Sequence, residues 1–446
     1  MRQERTIQAT IFDMFAGHEI GQELKAMSEW LDQRSPLVTL VADDLRRCGV
    51  KETGRQGLAA ESALRCALLK QHRQLSYEEL AFYLEDSASF RAFARLPLGW
   101  TPKKSVLHHT ISAIRAETWE AINRDLLSGA LKEKVEGGER IRVDSTVTAA
   151  LMHEPSDSSL LYDAVRVTAR LLESAEELAS DADIAWRDHR RGAKRRAYMI
   201  QYTRGRPNRV QHYRVLIKLA KATRGYLETA RIKLQGVQDL MVALWRAAVD
   251  EYRPLIDKII GQAERRVLLG ETVPVSEKIV SLFEPHADII IKGSRDVQYG
   301  HKLNLVSGKS GLILDLVIET GNPADSERFL PMLERHIAFY GRAPRQVAAD
   351  GGYASGHNLK QAKAQGVCDV AFHKKVGLKI EDMVKSRWVY RRLRNFRAGI
   401  EAGISCLKRA YGLGQCTWRG LDRFKAYVWS SVLAHNLALF ARLRPA

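Results

Sequence analysis

Three acidic residues, Asp144, Asp350 and Glu401, stand where a carboxylate can hold a divalent cation. Asp144 lies in a short β-rich stretch, ERIRVDSTVTA, in which Ile141 and Val143 alternate with Arg142 and Asp144 at the period of a strand, and it is read as the end of that strand. Asp350 ends a second short strand, RQVAAD, and is followed by Gly351 and Gly352. Glu401 lies in NFRAGIEAGISCLKRAYG, which projects well onto a helix. There Arg394, Arg397, Glu401 and Lys408 share an arc of roughly 60°. Leu393, Phe396, Ile400, Ile404, Leu407 and Tyr411 form a neighbouring apolar arc. Gly399, Ala402, Gly403, Cys406 and Ala410 leave a third face where other backbone can approach. If the two strands are neighbours, both aspartates emerge at one edge and the later helix lays Glu401 across them. Three carboxylates there suit a hard, oxygen-preferring cation such as Mg2+. Two such ions about 4 Å apart can activate a nucleophile and stabilise the leaving oxygen of an in-line phosphoryl displacement.

Each acid also has an ordinary role. Asp144 can cap a strand, and Asp350 with two glycines makes a normal turn. Arg397 and Glu401 form an i,i+4 pair worth roughly a few tenths of a kcal/mol. Taken together, in this order and in a chain this basic, the three favour the functional reading. The chain has 446 residues, with 70 Lys and Arg against 52 Asp and Glu, a net charge of +18. Such an excess suggests a polyanionic partner, nucleic acid first and an anionic membrane surface second.

The elements that must position the acids are mixed. Beyond the first strand, ADIIIKG, HKLNLVS, LILDLVIE, RQVAAD and CDVAFHKK read as strands, the second and third joined by the hairpin signal SGKSG. Helices ADSERFLPMLERHIAFYG and GHNLKQAKAQ intervene, and a last helix spans roughly Phe424 to Leu443. Residues 1–135 read as an N-terminal helical domain. Ser76 and Glu79 form a capping box there, with Leu75 and Leu80 at the staple positions. A further helix begins near Ser105 and runs through VLHHTISAIRAETWEAIN. Lys103 and Lys104 stand at its entrance, as in a helix-turn-helix-like DNA module, although a plain bundle fits equally well. Residues 136–152 carry the first strand, 153–280 a helical insertion, and 281–446 the remaining strands and helices. The insertion is long for a connection and should be its own subdomain.

Within that insertion, residues 187–224 hold thirteen Lys or Arg and one acid, Asp188. Arg190, Arg191, Lys194, Arg195, Arg196, Arg204 and Arg206 are candidate phosphate contacts, and Trp186, Tyr198, Tyr202 and Tyr213 candidate stacking partners. The run from Tyr427 to Phe440 is too short and too polar to span a bilayer. The N-terminus lacks a secretory signal, so a cytosolic location is expected. Five cysteines without a C-x-x-C disfavour both a disulfide framework and a zinc knuckle.

The sequence resembles a bacterial insertion-sequence transposase of the DDE type. Asp144-Ser145-Thr146 resembles that family's first-acid strand, and Asp350 with Gly352 and Tyr353 its second-acid turn. Arg397, Glu401 and Lys408 match the spacing of its C-terminal signature, in which Arg394 replaces an accessory Tyr. YGHKLNL and GNPADSERF resemble the central strands and a helix start, and LLKQHRQLSYEELAFYLEDSASFRAFARL the helical DNA-binding domain. The resemblance implies a ribonuclease-H-like α/β fold, a mixed sheet with flanking helices, interrupted by the helical insertion. It implies that Asp144, Asp350 and Glu401 are catalytic and hold two Mg2+ or Mn2+ ions. Arg397 and Lys408 would contact DNA phosphates or fix Glu401, and Arg394 is a further candidate DNA contact. The implied partners are double-stranded DNA, as terminal inverted repeats and as target, and a second copy or more of the chain. The implied place of action is the bacterial nucleoid. A nuclease on the same fold and a non-catalytic repressor are the alternatives.

Overall fold

β-Branched residues crowd RIRVDSTVTA, and it forms strand β1 (Arg140–Ala149). The computed structural model describes residues 18–48, 57–97, 99–179, 183–292, 296–373 and 377–444. The sequence reading ends this strand at Asp144, but β1 runs on to Ala149. The added residues gain antiparallel partners, from Ser145 opposite Asn304 to Ala149 opposite Gly300. Four of them, Ser145 to Thr148, are buried.

The chain divides into two units, Met1–Ala150 with Gly300–Ala446, and Leu151–Tyr299. In the first, β1 lies between β3 (Asp296–Ser307), antiparallel to it, and β5 (Gln346–Ala349), parallel to it. β4 (Ile313–Ile318) pairs antiparallel with β3, and β6 (Asp369–Phe372) parallel with β5. This is the mixed sheet of the expected ribonuclease-H-like type, three antiparallel strands followed by two parallel ones. One pairing decides the site. Val143 stands opposite Ala349 in the parallel ladder, so the residues that follow, Asp144 within β1 and Asp350 just past β5, lie side by side.

The N-terminal part is helical, as expected, in Glu19–Asp32, Ser35–Arg47, Ala60–Arg73, Tyr77–Asp86, Ala88–Phe93, Lys104–Ile111 and Ala116–Lys132. The Ser76 capping box is complete: Ser76 Oγ accepts the Glu79 N–H at 3.1 Å, and Glu79 Oε2 accepts the Ser76 N–H at 2.7 Å. The single helix expected from Ser105 is two helices. Arg115 breaks it, extended at φ −82°, ψ 160°. Its N–H donates to Asp44 Oδ2 at 2.9 Å and its Nε to Asp44 Oδ1 at 2.7 Å. A carboxylate from another helix therefore replaces the intrahelical partner, something local periodicity does not reveal.

The Leu421–Leu443 helix, buried along most of its length, packs on Ala116–Lys132, Ala60–Arg73 and β4. Asn436 ties these together. Its Oδ1 accepts the Ile313 N–H, and its Nδ2 donates to the Ile313 carbonyl and Asn123 Oδ1, each at 2.8 Å. The N-terminal helices and the sheet thus share one apolar core.

The second unit is built on helices Asp157–Leu178, Arg190–Tyr202, Arg206–Lys233 and Leu240–Ala263, the last running into a π-turn at Glu264–Leu268. Two apolar clusters hold it, one around Leu161, Ile217 and Ile256, the other around Leu172, Leu227 and Trp245. Strand β2 (Asp288–Lys292) follows in this unit, with the first residues of β3.

Candidate active site

The helix that carries Glu401 spans Arg387–Ala410, starting earlier than the motif that drew attention to it. Ser386 caps it, accepting the Val389 N–H at 3.3 Å. Val389, Leu393, Ile400 and Leu407 bury one face. Tyr390 OH donates to the Phe372 carbonyl at the end of β6, at 2.8 Å. Arg142, on β1, donates from Nη1 to the Phe396 carbonyl at 3.0 Å and from Nε to Ser307 Oγ at 2.7 Å. Its guanidinium occupies the space a Cβ at Gly399 would need. The small-residue face therefore admits a side chain at Gly399, where backbone was expected.

This docking brings the three acids to one group, the Arg397 guanidinium. Nη1 lies 3.4 Å from Asp144 Oδ2 and 3.4 Å from Asp350 Oδ1, while Nη2 pairs with Glu401 Oε1. The ordinary i,i+4 pair and the convergence of the acids thus coexist. Arg397 is 8% exposed and pairs with Glu401, the second of the two roles expected of it. The side chains of Asp144, Asp350 and Glu401 are 16%, 42% and 61% exposed, a gradient from the sheet to solvent. Among the described residues no three acidic, His or Cys side chains approach closely enough to share a metal ion directly. The guanidinium stands between these three instead. The donor set nonetheless fits a hard divalent cation: all the acids are carboxylates, and one cationic group already reaches all of them.

A second polar layer lies beneath, on the other face of the sheet by strand alternation. Ser145 Oγ is 3.4 Å from Asp325 Oδ2, at the start of the Asp325–Tyr340 helix. Lys302, 5% exposed on β3, places Nζ 2.6 Å from Asp325 Oδ1 and donates to the Pro323 carbonyl at 2.6 Å. A Cβ at Gly352 would sit 2.8 Å from Asp325 Oδ2, so any larger residue there would push that carboxylate aside. Tyr353 OH donates to Asn304 Oδ1 at 2.6 Å, and Asn304 Nδ2 to Glu319 Oε1 at 2.8 Å. Burial, reinforced by the Asp325, Asp144 and Asp350 carboxylates, holds the Tyr353 hydroxyl well above its ordinary pKa. It stays a neutral donor under the acids. Sequence reasoning passed over Lys302, Asn304 and Asp325 as individuals. The available signal was HKLNL itself, where Lys302 and Asn304 alternate with leucines on a strand too apolar for a solvated face.

The other candidates divide. Arg394 is exposed on the same helix, and Lys408 is half-buried about 10 Å beyond Glu401 along the axis. In the second unit Arg191, Lys194, Arg195, Arg204 and Arg206 are exposed. Arg190 is not available in the same way: Glu173 takes it at 2.5 Å and Asp188 at 2.8 Å. Arg196 contacts His212 Nδ1 at 3.1 Å. Tyr198 and Tyr202 form an exposed pair with centroids 4.4 Å apart. Trp186 and Tyr213 instead pack against the apolar clusters. Lys103 is exposed, and Lys104 makes a surface pair with Glu78 at 3.3 Å.

No helix among the described residues is long and apolar enough to cross a membrane. Residues 291–437 match the family model of a transposase DDE domain, and residues 16–117 that of a transposase domain (DUF772). The first match includes Asp350 and Glu401, and Asp144 lies outside both. No curated protein and no solved structure matches the chain.

Proposed function

From the premise that this chain belongs to the DDE transposases of insertion sequences, we propose that it binds the terminal inverted repeats of its own element, cuts a DNA strand there and joins the freed end to target DNA. The observation that carries this reading is the meeting of Asp144, Asp350 and Glu401, from three separate elements, on one guanidinium. Asp144, Asp350 and Glu401 are the residues to hold two Mg2+ or Mn2+ ions. Those ions, when bound, supply nucleophile activation and stabilisation of the leaving oxygen.

In the first step water attacks a phosphorus at the element end. The P–O3′ bond breaks, leaving a 3′-OH and a 5′-phosphate. In the second, that 3′-OH attacks a target phosphodiester, one P–O bond forming as another breaks, so no energy source and no covalent protein–DNA intermediate is needed. Arg397 holds the three carboxylates in register and must move aside as they take up cations. Tyr353, Asn304 and the Lys302–Asp325 pair brace the strands beneath. Arg394, Lys408 and the exposed cations of the Leu151–Tyr299 unit, with the Tyr198–Tyr202 pair, supply phosphate contacts and a stacking surface. Two element ends require at least two copies of the chain, working on DNA in the bacterial cytoplasm.

The test uses duplex DNA from the flanks of the reading frame, with Mg2+. Glu401→Gln and Asp144→Asn should each abolish strand cleavage while DNA binding survives. Undiminished cleavage in either variant removes that residue from the mechanism. Pre-cleaved ends that fail to join would make the protein a nuclease.

A further inference from the structure

Besides the carboxylate site, the first unit contains a cavity of about 460 Å³ at the opposite end of the same strands. Lys134, Arg140, Lys309, Arg345, Lys385 and Arg392 line it. Arg140 begins β1 opposite Gln346, the first residue of β5, about 13 Å along the strand from Asp144.

The acids in this lining are already committed. Glu136 Oε1 accepts the Gly138 N–H at 2.9 Å, and its Oε2 accepts both the N–H and the hydroxyl of Ser310, at 2.8 and 2.7 Å. Glu139 pairs with Arg342 at 3.2 Å. Arg140 spends its Nε on Gln346 Oε1 at 2.7 Å, which leaves its charge uncancelled. Its pKa is lowered by burial first, then by the neighbouring Arg392 and Arg345 guanidiniums. Like charges gathered around a concave space, with the local carboxylates otherwise engaged, need an anion from outside. The Arg387–Ala410 helix begins in the lining, adding the positive end of its dipole. Trp388 sits at this helix start, 63% exposed, with the Arg392 guanidinium 5.2 Å from its ring centroid. An exposed indole beside guanidiniums is the pairing that stacks a nucleobase while the cations take the phosphates.

We propose that this cavity binds the phosphodiester backbone of a DNA strand, with a base stacked on Trp388. The site deepens the transposase reading and rests on it for the identity of the strand. It would grip DNA at the far end of the strands and helix that carry the acids, giving the substrate two anchors on one rigid element.

The test follows the fluorescence of Trp388 in the full-length protein with EDTA, taken as wild type minus Trp388→Phe, during titration with a dodecathymidylate strand. A parallel titration uses sodium pyrophosphate. The expected result is quenching by the strand and none by pyrophosphate. In Arg345→Gln/Arg392→Gln the half-saturation point should rise at least tenfold, and the slope of log affinity against log salt should fall by about 1.4, at about 0.7 per lost phosphate contact. Unchanged far-UV circular dichroism establishes that this variant is folded. No Trp388 difference signal, or the same titration in the double variant, overturns the proposal. Quenching by pyrophosphate alone would make the cavity a small-anion pocket and overturns it equally. The readout needs no cleavage, so it can fail while the Glu401→Gln test succeeds, or the reverse.

Discussion

Arg397→Met removes the guanidinium on which the acids converge while keeping an unbranched side chain of similar reach. Without added metal, Asp144, Asp350 and Glu401 then face one another with no cation between them. Removing one partner of a buried ion pair costs about 3–5 kcal/mol. Here only Asp144 is well covered, at 16% exposure, while Asp350 and Glu401 are 42% and 61% exposed and keep much of their hydration. Screening brings the expected cost down to about 2 kcal/mol. At about 2 °C per kcal/mol for a unit of this size, Tm in EDTA should fall by about 4 °C. The same interaction opposes cation binding in the wild type, because Arg397 must be displaced first. In the variant that opposition is gone, so Mn2+ should bind about 30-fold more tightly, the equivalent of about 2 kcal/mol. Calorimetric melts in EDTA and titration calorimetry with Mn2+ measure both effects. An unchanged Tm together with an Mn2+ affinity no tighter than wild type, in a variant with native circular dichroism, would refute the idea that Arg397 stands in for the cation.

Two glycines on the same helix should respond in opposite directions. Gly399→Ala forces the Arg142 guanidinium off the Phe396 carbonyl and should lower the urea midpoint by the equivalent of about 1 kcal/mol. Gly403→Ala meets nothing within 4 Å and should raise it by up to about 1 kcal/mol, the helix-propensity gain; midpoints shifting the same way would contradict the geometry. Acid should weaken the first unit through His336 and His435, whose pKa values burial pushes down to about 4. Both rings stay neutral in the fold while the unfolded chain protonates them near pH 6.5. Their contribution is therefore intact above pH 6.5 and lost as pH falls toward 4, by roughly 1.4 kcal/mol per pH unit for each ring. His336→Asn should flatten that acid limb in urea melts across this range, and an unchanged slope would remove His336 as its source.

Much of the fold was legible because its signals are local. The capping box at Ser76 needs only residues 76 to 79, and the HKLNLVS–SGKSG–LILDLVIE hairpin only neighbours in sequence. The insertion read as helical, and helices build it. The acids were legible for a related reason, since each stands at a recognisable strand or helix position. The misreadings share a cause as well. Arg115 breaks a helix because Asp44, on a different helix, accepts its N–H. Arg190 is held by Glu173 from another helix of the second unit, and Tyr213 faces an apolar cluster, so a basic, aromatic stretch is only partly a DNA-facing surface.

By itself the sequence determined which segments are helix or strand and in what order the three acids arrive, because propensity, capping and periodicity act over a few residues. Only the tertiary structure decided that Val143 pairs with Ala349, setting Asp144 beside Asp350. It also decided that Arg397 turns inward to reach an acid 253 residues away, and that Lys302 neutralises Asp325 beneath them. Ion pairs and parallel register depend on which distant surfaces bury one another, and the free energy of that burial is a property of the assembled core.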